Sequence, residues 1–227
     1  GLFPPASDLA KTAKTRRPPG APLVPNTTLY HSSSADTPDL VCTVTDATIG
    51  FSESWTLASG GSKAWTVPFT IPADFAGDDF ENTASVTCSP TGFPNVYTDS
   101  ASHSIELFQP AIDLAKTAET LSKVGDPVEY TITLYNNSSA DAPDMVCTIT
   151  DATLDFSEEV TLASGANAPY TVPFTIPADF VGDDFVNTAS VICSPTGFPN
   201  TYTDEASHSI ELFQPAINLT KSAETLS

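Results

Sequence analysis

The sequence predicts an all-β protein: two tandem antiparallel β-sandwiches of about 105 residues, then the first strand of a third repeat. Three observations carry this. Lys11, Lys116 and Lys221 stand in matching stretches, so the period is 116 − 11 = 221 − 116 = 105 residues. Short runs of alternating hydrophobicity are punctuated by Pro, Gly and Asn about every 8–12 residues, the spacing of sandwich strands. No stretch carries a convincing helical period.

The matching stretches are PASDLAKTAKT from Pro5, PAIDLAKTAETLS from Pro110 and PAINLTKSAETLS from Pro215. They set repeat 1 at 1–109, repeat 2 at 110–214 and a lone strand at 215–227. Two domains of about 100 residues each suit this length, and each is large enough for one core. The connection ELFQPAIDL (106–114) has no glycine, which predicts a stiff joint.

Taken in order, the start of repeat 1 is irregular. Repeat 2 has a clean alternating strand from Val128 to Tyr135, whereas repeat 1 has RRPPGAPLVPNTTLY in its place. Pro18, Pro19, Pro22 and Pro25 remove backbone donors, so these first strands are expected to be damaged or to lie at an edge. From Leu29 and Leu134 onward the repeats align without gaps. Each then shows SSAD, a strand ending T-D-A-T, a turn at Gly60 or Gly165, and TVPFTIPADF. GDDF, NTASV-x-C, SPTGFPN and SHSIELFQP complete each repeat. Val172, Phe174 and Ile176 alternate with Thr171 and Thr175, placing the two sets on opposite faces.

Composition narrows the function. With 28 acidic and 8 basic residues the net charge is −20, which repels nucleic acid. No run of 18 apolar residues occurs, so no membrane-spanning helix is expected. Gly1 opens without a signal-peptide pattern, as in a mature or excised chain. The four cysteines pair by repeat, Cys42 with Cys88 and Cys147 with Cys193, each 46 residues apart. One disulfide per repeat is the simplest reading and places the chain in an oxidising, secreted or cell-surface setting. Two cysteines per repeat with no CxxC are too few for zinc.

The run GDPVEYTITLYNNSSADAPDMVCTITDAT (125–153), with NTASV at 187–191, resembles a prokaryotic cell-surface tandem-repeat family. The resemblance covers repeat 2 and repeat 1 from about Leu29. It implies an Ig-like β-sandwich of largely unassigned function, found in tandem in large secreted and surface-anchored proteins. The disulfides and the proline-rich start of repeat 1 depart from many members.

Some polar residues fall in phase with the core. Lys116 follows Ile112 and Leu114 on one strand face, Asp151 follows Cys147 and Ile149, and Asn187 precedes Ala189, Val191 and Cys193. Repeat 1 has the same set as Lys11, Asp46 and Asn82. If the cysteine strands are antiparallel neighbours, Asp151 lies opposite Ala189 and within reach of Asn187. A buried Lys, acid and Asn is what an intramolecular isopeptide bond requires, because burial favours the neutral, nucleophilic amine. Related surface repeats carry such crosslinks, and the order Lys, acid, Asn resembles theirs. The plainer reading is an ion pair hydrogen-bonded to Asn.

Further candidates follow. The acidic loops offer Asp74, Asp78 and Asp79 in repeat 1, with Asp179, Asp183 and Asp184 in repeat 2. Their carboxylates suit calcium as a cofactor, or form solvated turns. Asn26, Asn136, Asn137 and Asn218 each open an N-x-S/T sequon. His31, His103 and His208 have no triad or metal partners at useful spacing, and the SHS pairs are expected at the surface. Trp55 and Trp65 are expected in core or rim packing.

No nucleophile with a base appears, so the sequence does not read as an enzyme. The expected role is a structural subunit or spacer of an extracellular filament or surface stalk. The alternative is an adhesin or carbohydrate-binding module. The expected partner is a second copy of the chain. Ile217 and Leu219 in the tail would present an uncovered apolar face, and a lone strand is unstable in water. The tail is therefore expected to enter a groove left by the weak start of repeat 1 in the next subunit, head to tail. Lys221 would then replace Lys11 beside Asp46 and Asn82. The competing reading has the tail entering a third repeat of a longer array.

Overall fold

In the computed structural model the described residues are 7–12 and 16–222. The last five residues of the expected third strand, 223–227, lie outside them. Two compact units divide the chain, Gly1–Gln109 and Pro110–Ser227. Among the described residues both are all-β, with no helix.

The first unit runs β1 (Ser7–Thr12), β2 (Arg16–Arg17), β3 (Pro22–Leu23), β4 (Asn26–His31), β5 (Leu40–Asp46) and β6 (Phe51–Leu57). It continues with β7 (Ser62–Thr66), β8 (Phe69–Thr70), β9 (Asp79–Pro90) and β10 (Tyr97–Leu107). The second runs β11 (Ile112–Thr117), β12 (Leu121–Ser122), β13 (Pro127–Asn136) and β14 (Met145–Asp151). After these come β15 (Phe156–Leu162), β16 (Asn167–Thr175), β17 (Asp184–Pro195) and β18 (Tyr202–Leu212).

Each unit packs a three-stranded sheet against a five-stranded one. In the second unit the orders are β11-β13-β16 and β12-β18-β17-β14-β15. The first strand divides between them: β11 pairs antiparallel with β13, and β12 then pairs parallel with β18. Strand residues alternate as their polarity dictates. Along β14 the odd-numbered residues from Met145 to Asp151 are buried, with Val146 and Thr150 exposed between them. The outer faces carry hydroxyls that pair across strands, such as Thr188 with Ser207 at 2.7 Å.

The first unit keeps this plan around its prolines. The single strand β13 of repeat 2 corresponds to two pieces, β3 and β4, separated by Val24 and Pro25. Both pieces hold the register of the intact strand: Leu23 faces Phe69 as Val128 faces Phe174. The partner strand is split as well, β16 corresponding to β7 and β8, so β3 and β8 pair as a separate two-stranded sheet: the damage is a break across two strands and not their loss. β1 precedes the prolines and pairs with β4 along its whole length, Lys11 opposite Thr27. This corrects the expected open groove: that side of β4 is already taken by the chain's own β1.

At the β14–β15 turn Asp155 has φ of 50°, the only positive φ at a non-glycine among the described residues. Gly50 takes that place in the first unit with φ of 65°. A short polar side chain tolerates this left-handed backbone, which explains how one turn serves both residues.

The core of each unit has two apolar clusters. In the second, Leu114, Ile132, Ile149 and Val191 gather around the cysteines. Val128, Tyr130, Phe185 and Ile210 form the other. Cys42 bonds Cys88 and Cys147 bonds Cys193, in each case across directly opposed positions of neighbouring strands. Each disulfide thus ties two strands of one sheet and does not clamp the two sheets together.

Candidate functional site

Between the two clusters of each unit sits a polar set. Asn187 lies on β17 between Phe185 of one cluster and Ala189 of the other. Lys116 is two residues beyond Leu114 on β11, and Asp151 two beyond Ile149 on β14. Period-two alternation aims all three inward. Lys116 is 6 % exposed, Asp151 2 % and Asn187 1 %. Lys11, Asp46 and Asn82 take the same places in the first unit and are equally buried.

Burying a charge is tolerated when it is paired and its remaining donors or acceptors are satisfied. The Lys116 ammonium donates to Asp151 Oδ2, and Lys11 donates to Asp46 Oδ2. Asn187 Nδ2 donates to Asp151 Oδ2 at 3.1 Å. The other oxygen, Oδ1, accepts the backbone N–H groups of Thr153 and Leu154, both at 3.1 Å. In the first unit Asn82 Nδ2 donates to Asp46 Oδ1 at 2.8 Å, and the Ile49 N–H reaches the same oxygen at 3.4 Å. Neither Asn187 Oδ1 nor Asn82 Oδ1 has a partner, although both are buried.

Two features of this site escaped the sequence reading. The first is Tyr130, fully buried on β13, whose ring centre lies 4.5 Å from Lys116 Nζ. Lys116 pairs with Ile132, so Tyr130 is its diagonal neighbour on the same face. Burial pushes the Tyr130 phenol up to about 12, helped by the Asp151 and Glu119 carboxylates. Burial also pushes the Lys116 ammonium below the ordinary lysine value, and the hydrogen bond and charge of Asp151 oppose that shift. The second is Asp204 on β18, which accepts the Leu114 backbone N–H at 2.7 Å from the free edge of β11. Asp99 does the same for Leu9 at 2.9 Å. Each aspartate pins the lysine-bearing strand two residues from the lysine. The signal was present in T-D-S and T-D-E, where an acid falls on the inward parity of its strand.

The chemistry open to this set is narrow. A lysine amine, a carboxyl to hold its proton and an unreacted carboxamide, all shielded from water, can form an amide bond. Asp151 also borders a surface cavity of about 280 Å³ lined by Thr150, Asp155, Phe156 and Ser190.

Other predicted residues do not assemble. Asp74, Asp78, Asp79, Asp179, Asp183 and Asp184 are all exposed. Among the described residues no three acidic, His or Cys side chains gather to hold a metal ion. The physical reason is visible in the loops: Phe180 packs onto Phe185, and the Asp183 carbonyl accepts the Leu212 N–H at 2.7 Å. Aromatic rings and backbone anchor the loop inward, so the carboxylates fan outward.

Of the sequons, Asn26, Asn137 and Asn218 are exposed, but Asn136 is 1 % exposed and donates to the Leu162 carbonyl at 2.9 Å. Asn136 is therefore no glycan acceptor in the folded chain, because β13 runs one residue past Tyr135. His31 takes its place in repeat 1 and contacts the Leu57 carbonyl at 3.1 Å. His103 and His208 are half-buried and share the inward parity of Ile105 and Ile210, which corrects the expected surface placement. Trp65 packs edge-on to Phe51, with ring centroids 5.9 Å apart. Trp55 instead stands 45 % exposed under the Lys63 ammonium. Ile217 and Leu219 are 98 % and 91 % exposed, and Lys221 is exposed beside them.

No family model and no curated relative matches the chain. Several solved structures align with the chain at low identity and low TM-score. A protein of unknown function from Porphyromonas gingivalis W83 is 11% identical, covering 92% of this chain and 100% of its own, with a TM-score of 0.34. Red sea bream transglutaminase is 10% identical over 95% of this chain, with a TM-score of 0.29. Escherichia coli alpha-2-macroglobulin is 13% identical over 91%, with a TM-score of 0.33. This chain spans 32% of that transglutaminase and 17% of that macroglobulin.

Proposed function

We propose that the chain is a structural spacer of a secreted filament or cell-surface stalk, with each repeat locked by its disulfide and by a Lys–Asn isopeptide bond. The observation that carries this reading is the buried Lys–Asp–Asn set, present in both repeats beside a disulfide. Covalent locks suit a module that bears load or resists proteolysis. Disulfides and a net charge of −20 suit an oxidising extracellular setting. Intact mass tests it: each crosslink removes one ammonia, about 17 Da, by displacement at the Asn carboxamide. A chain whose mass is accounted for by its disulfides alone has no crosslink, and the locking role then fails.

Self-assembly through the tail belongs to the same reading. Ile217 and Leu219 repeat the spacing of Ile112 and Leu114, which face the core in the second unit, yet stand in solvent here. Strand addition to another copy would cover them. Because repeat 1 holds its own β1, that donation is an exchange in which the incoming Leu219 and Lys221 displace Leu9 and Lys11. Deleting residues 215–227 is expected to abolish polymers while both units still melt cooperatively. Polymers that persist in light scattering after the deletion would remove the tail from assembly. The adhesin reading rests on Trp55, whose exposed ring under Lys63 could stack on a sugar. A glycan screen in which Trp55→Ala changes nothing would close it.

A further inference from the structure

We propose that Tyr130 positions Lys116 for amide formation with Asn187, so that repeat 2 closes its crosslink ahead of repeat 1. This rests on the crosslinking reading above and adds an order and a residue to it. The two sites hold the same three reacting residues, and three differences around them point one way.

The first difference is the wall. Lys116 Nζ lies 4.5 Å from the centre of the Tyr130 ring. Repeat 1 has Pro25 at the matching position, where the strand is broken. An aromatic face holds an ammonium in place by its quadrupole but has no lone pair to take the proton. The carboxylate of Asp151 is therefore the acceptor for the Lys116 proton.

The second difference is convergence. Lys116 and Asn187 both donate to one oxygen, Asp151 Oδ2. In repeat 1 Lys11 uses Asp46 Oδ2 and Asn82 uses Oδ1, so the amine and the carboxamide meet different oxygens of the carboxylate. The third is rigidity. Two backbone N–H groups at 3.1 Å hold Asp151 Oδ1, whereas the Ile49 N–H reaches Asp46 Oδ1 at 3.4 Å. A fixed carboxylate with both reactants on one oxygen is closer to a near-attack arrangement.

The Lys116 ammonium gives one proton to the Asp151 carboxylate, leaving a neutral amine and a carboxylic acid. The amine attacks Asn187 Cγ, and the acid hydrogen-bonds the carboxamide oxygen, which turns toward it. Asn187 Oδ1 is buried and unpartnered beforehand, so this turn breaks no bond at that oxygen. The Nζ–Cγ bond forms, the Cγ–Nδ2 bond breaks, and ammonia leaves with one proton from the amine. Asp151 ends protonated. No oxidant or other reactant is needed.

The test follows both crosslinks in one molecule. The full chain is made by cell-free synthesis under oxidising conditions and quenched at intervals. Peptide mass mapping then times the Lys11–Asn82 and Lys116–Asn187 linkages separately. The repeat 2 linkage is expected first. Tyr130→Leu should slow it about tenfold or more, the scale of a lost positioning contact, with the repeat 1 rate unchanged as the internal reference. Tyr130→Phe keeps the ring and should restore the rate. The pH profile of closure in Tyr130→Leu should move to lower pH, because the ammonium loses the ring face that favours its charged form. A purely structural role would lower the folded fraction without moving that profile.

Equal closing rates in the unaltered chain overturn the proposal, and that comparison needs no variant. So does unslowed closure in Tyr130→Leu, or a Tyr130→Phe as slow as Tyr130→Leu, with crosslinking itself left standing. Absence of both ammonia losses overturns the crosslinking reading, and this proposal with it.

Discussion

Asp151→Ala is expected to destabilise repeat 2 by about 3–5 kcal/mol, the usual cost of stranding a buried charge. Asp151 accepts from the Lys116 ammonium, the Asn187 carboxamide and the N–H groups of Thr153 and Leu154. Removing it leaves four donors without an acceptor in a site whose lysine side chain is fully shielded from water. Stranding the charge dominates, because each neutral donor left buried costs only about 1–3 kcal/mol. Replacing the pair together, as Lys116→Met with Asp151→Leu, should cost far less, since apolar groups of similar volume need no partners. Urea unfolding of both variants reads the difference. Asp151→Ala within about 1 kcal/mol of the unaltered chain would mean that Lys116 escapes to water. The same variant should keep the mass of its ammonia in repeat 2, because nothing remains to take the lysine proton.

Much of this site was legible because strands obey a period of two. Parity alone aimed Lys116, Asp151 and Asn187 at the core, and placing Cys147 opposite Cys193 brought Asp151 to Asn187. What parity could not reveal was depth and diagonal reach. Tyr130 looked like one more inward residue of a strand with Ile132 and Leu134, and its place over Lys116 needs the β11–β13 register. Asp204 was legible by half: its inward parity stands in the sequence, but its partner is a backbone N–H on another sheet, which no side-chain pattern records. For the acidic loops composition counts carboxylates and says nothing of where they point. Phe180 and Phe185 claim the inner side, so the acids turn out. The groove failed for want of one fact, that SDLAKT lies before the prolines and pairs freely with β4.

Removing the repeat 2 disulfide, as Cys147→Ala with Cys193→Ala, is expected to cost about 4 kcal/mol and lower the melting temperature of that unit by about 15–30 °C. The effect arises in the unfolded chain. The bond closes a loop between residues 46 apart, and opening it returns that loop's entropy to the denatured state. Native contacts change less, since the cysteines lie on adjacent strands that still pair through Met145, Thr148 and Ile149. A Lys116–Asn187 bond does not remove the effect. With it in place, the shorter path between the cysteines runs 147 − 116 = 31 residues to Lys116, then 193 − 187 = 6 from Asn187, 37 in all. Loop entropy depends on the logarithm of length, so 37 in place of 46 changes the cost by only about 0.2 kcal/mol. The disulfide loss should therefore read the same in crosslinked and uncrosslinked chains. Differential scanning calorimetry on the double variant, with repeat 1 as the unaltered reference in the same trace, measures it. A drop of under about 5 °C, little more than 1 kcal/mol, would show that the denatured chain is already held compact without the bond.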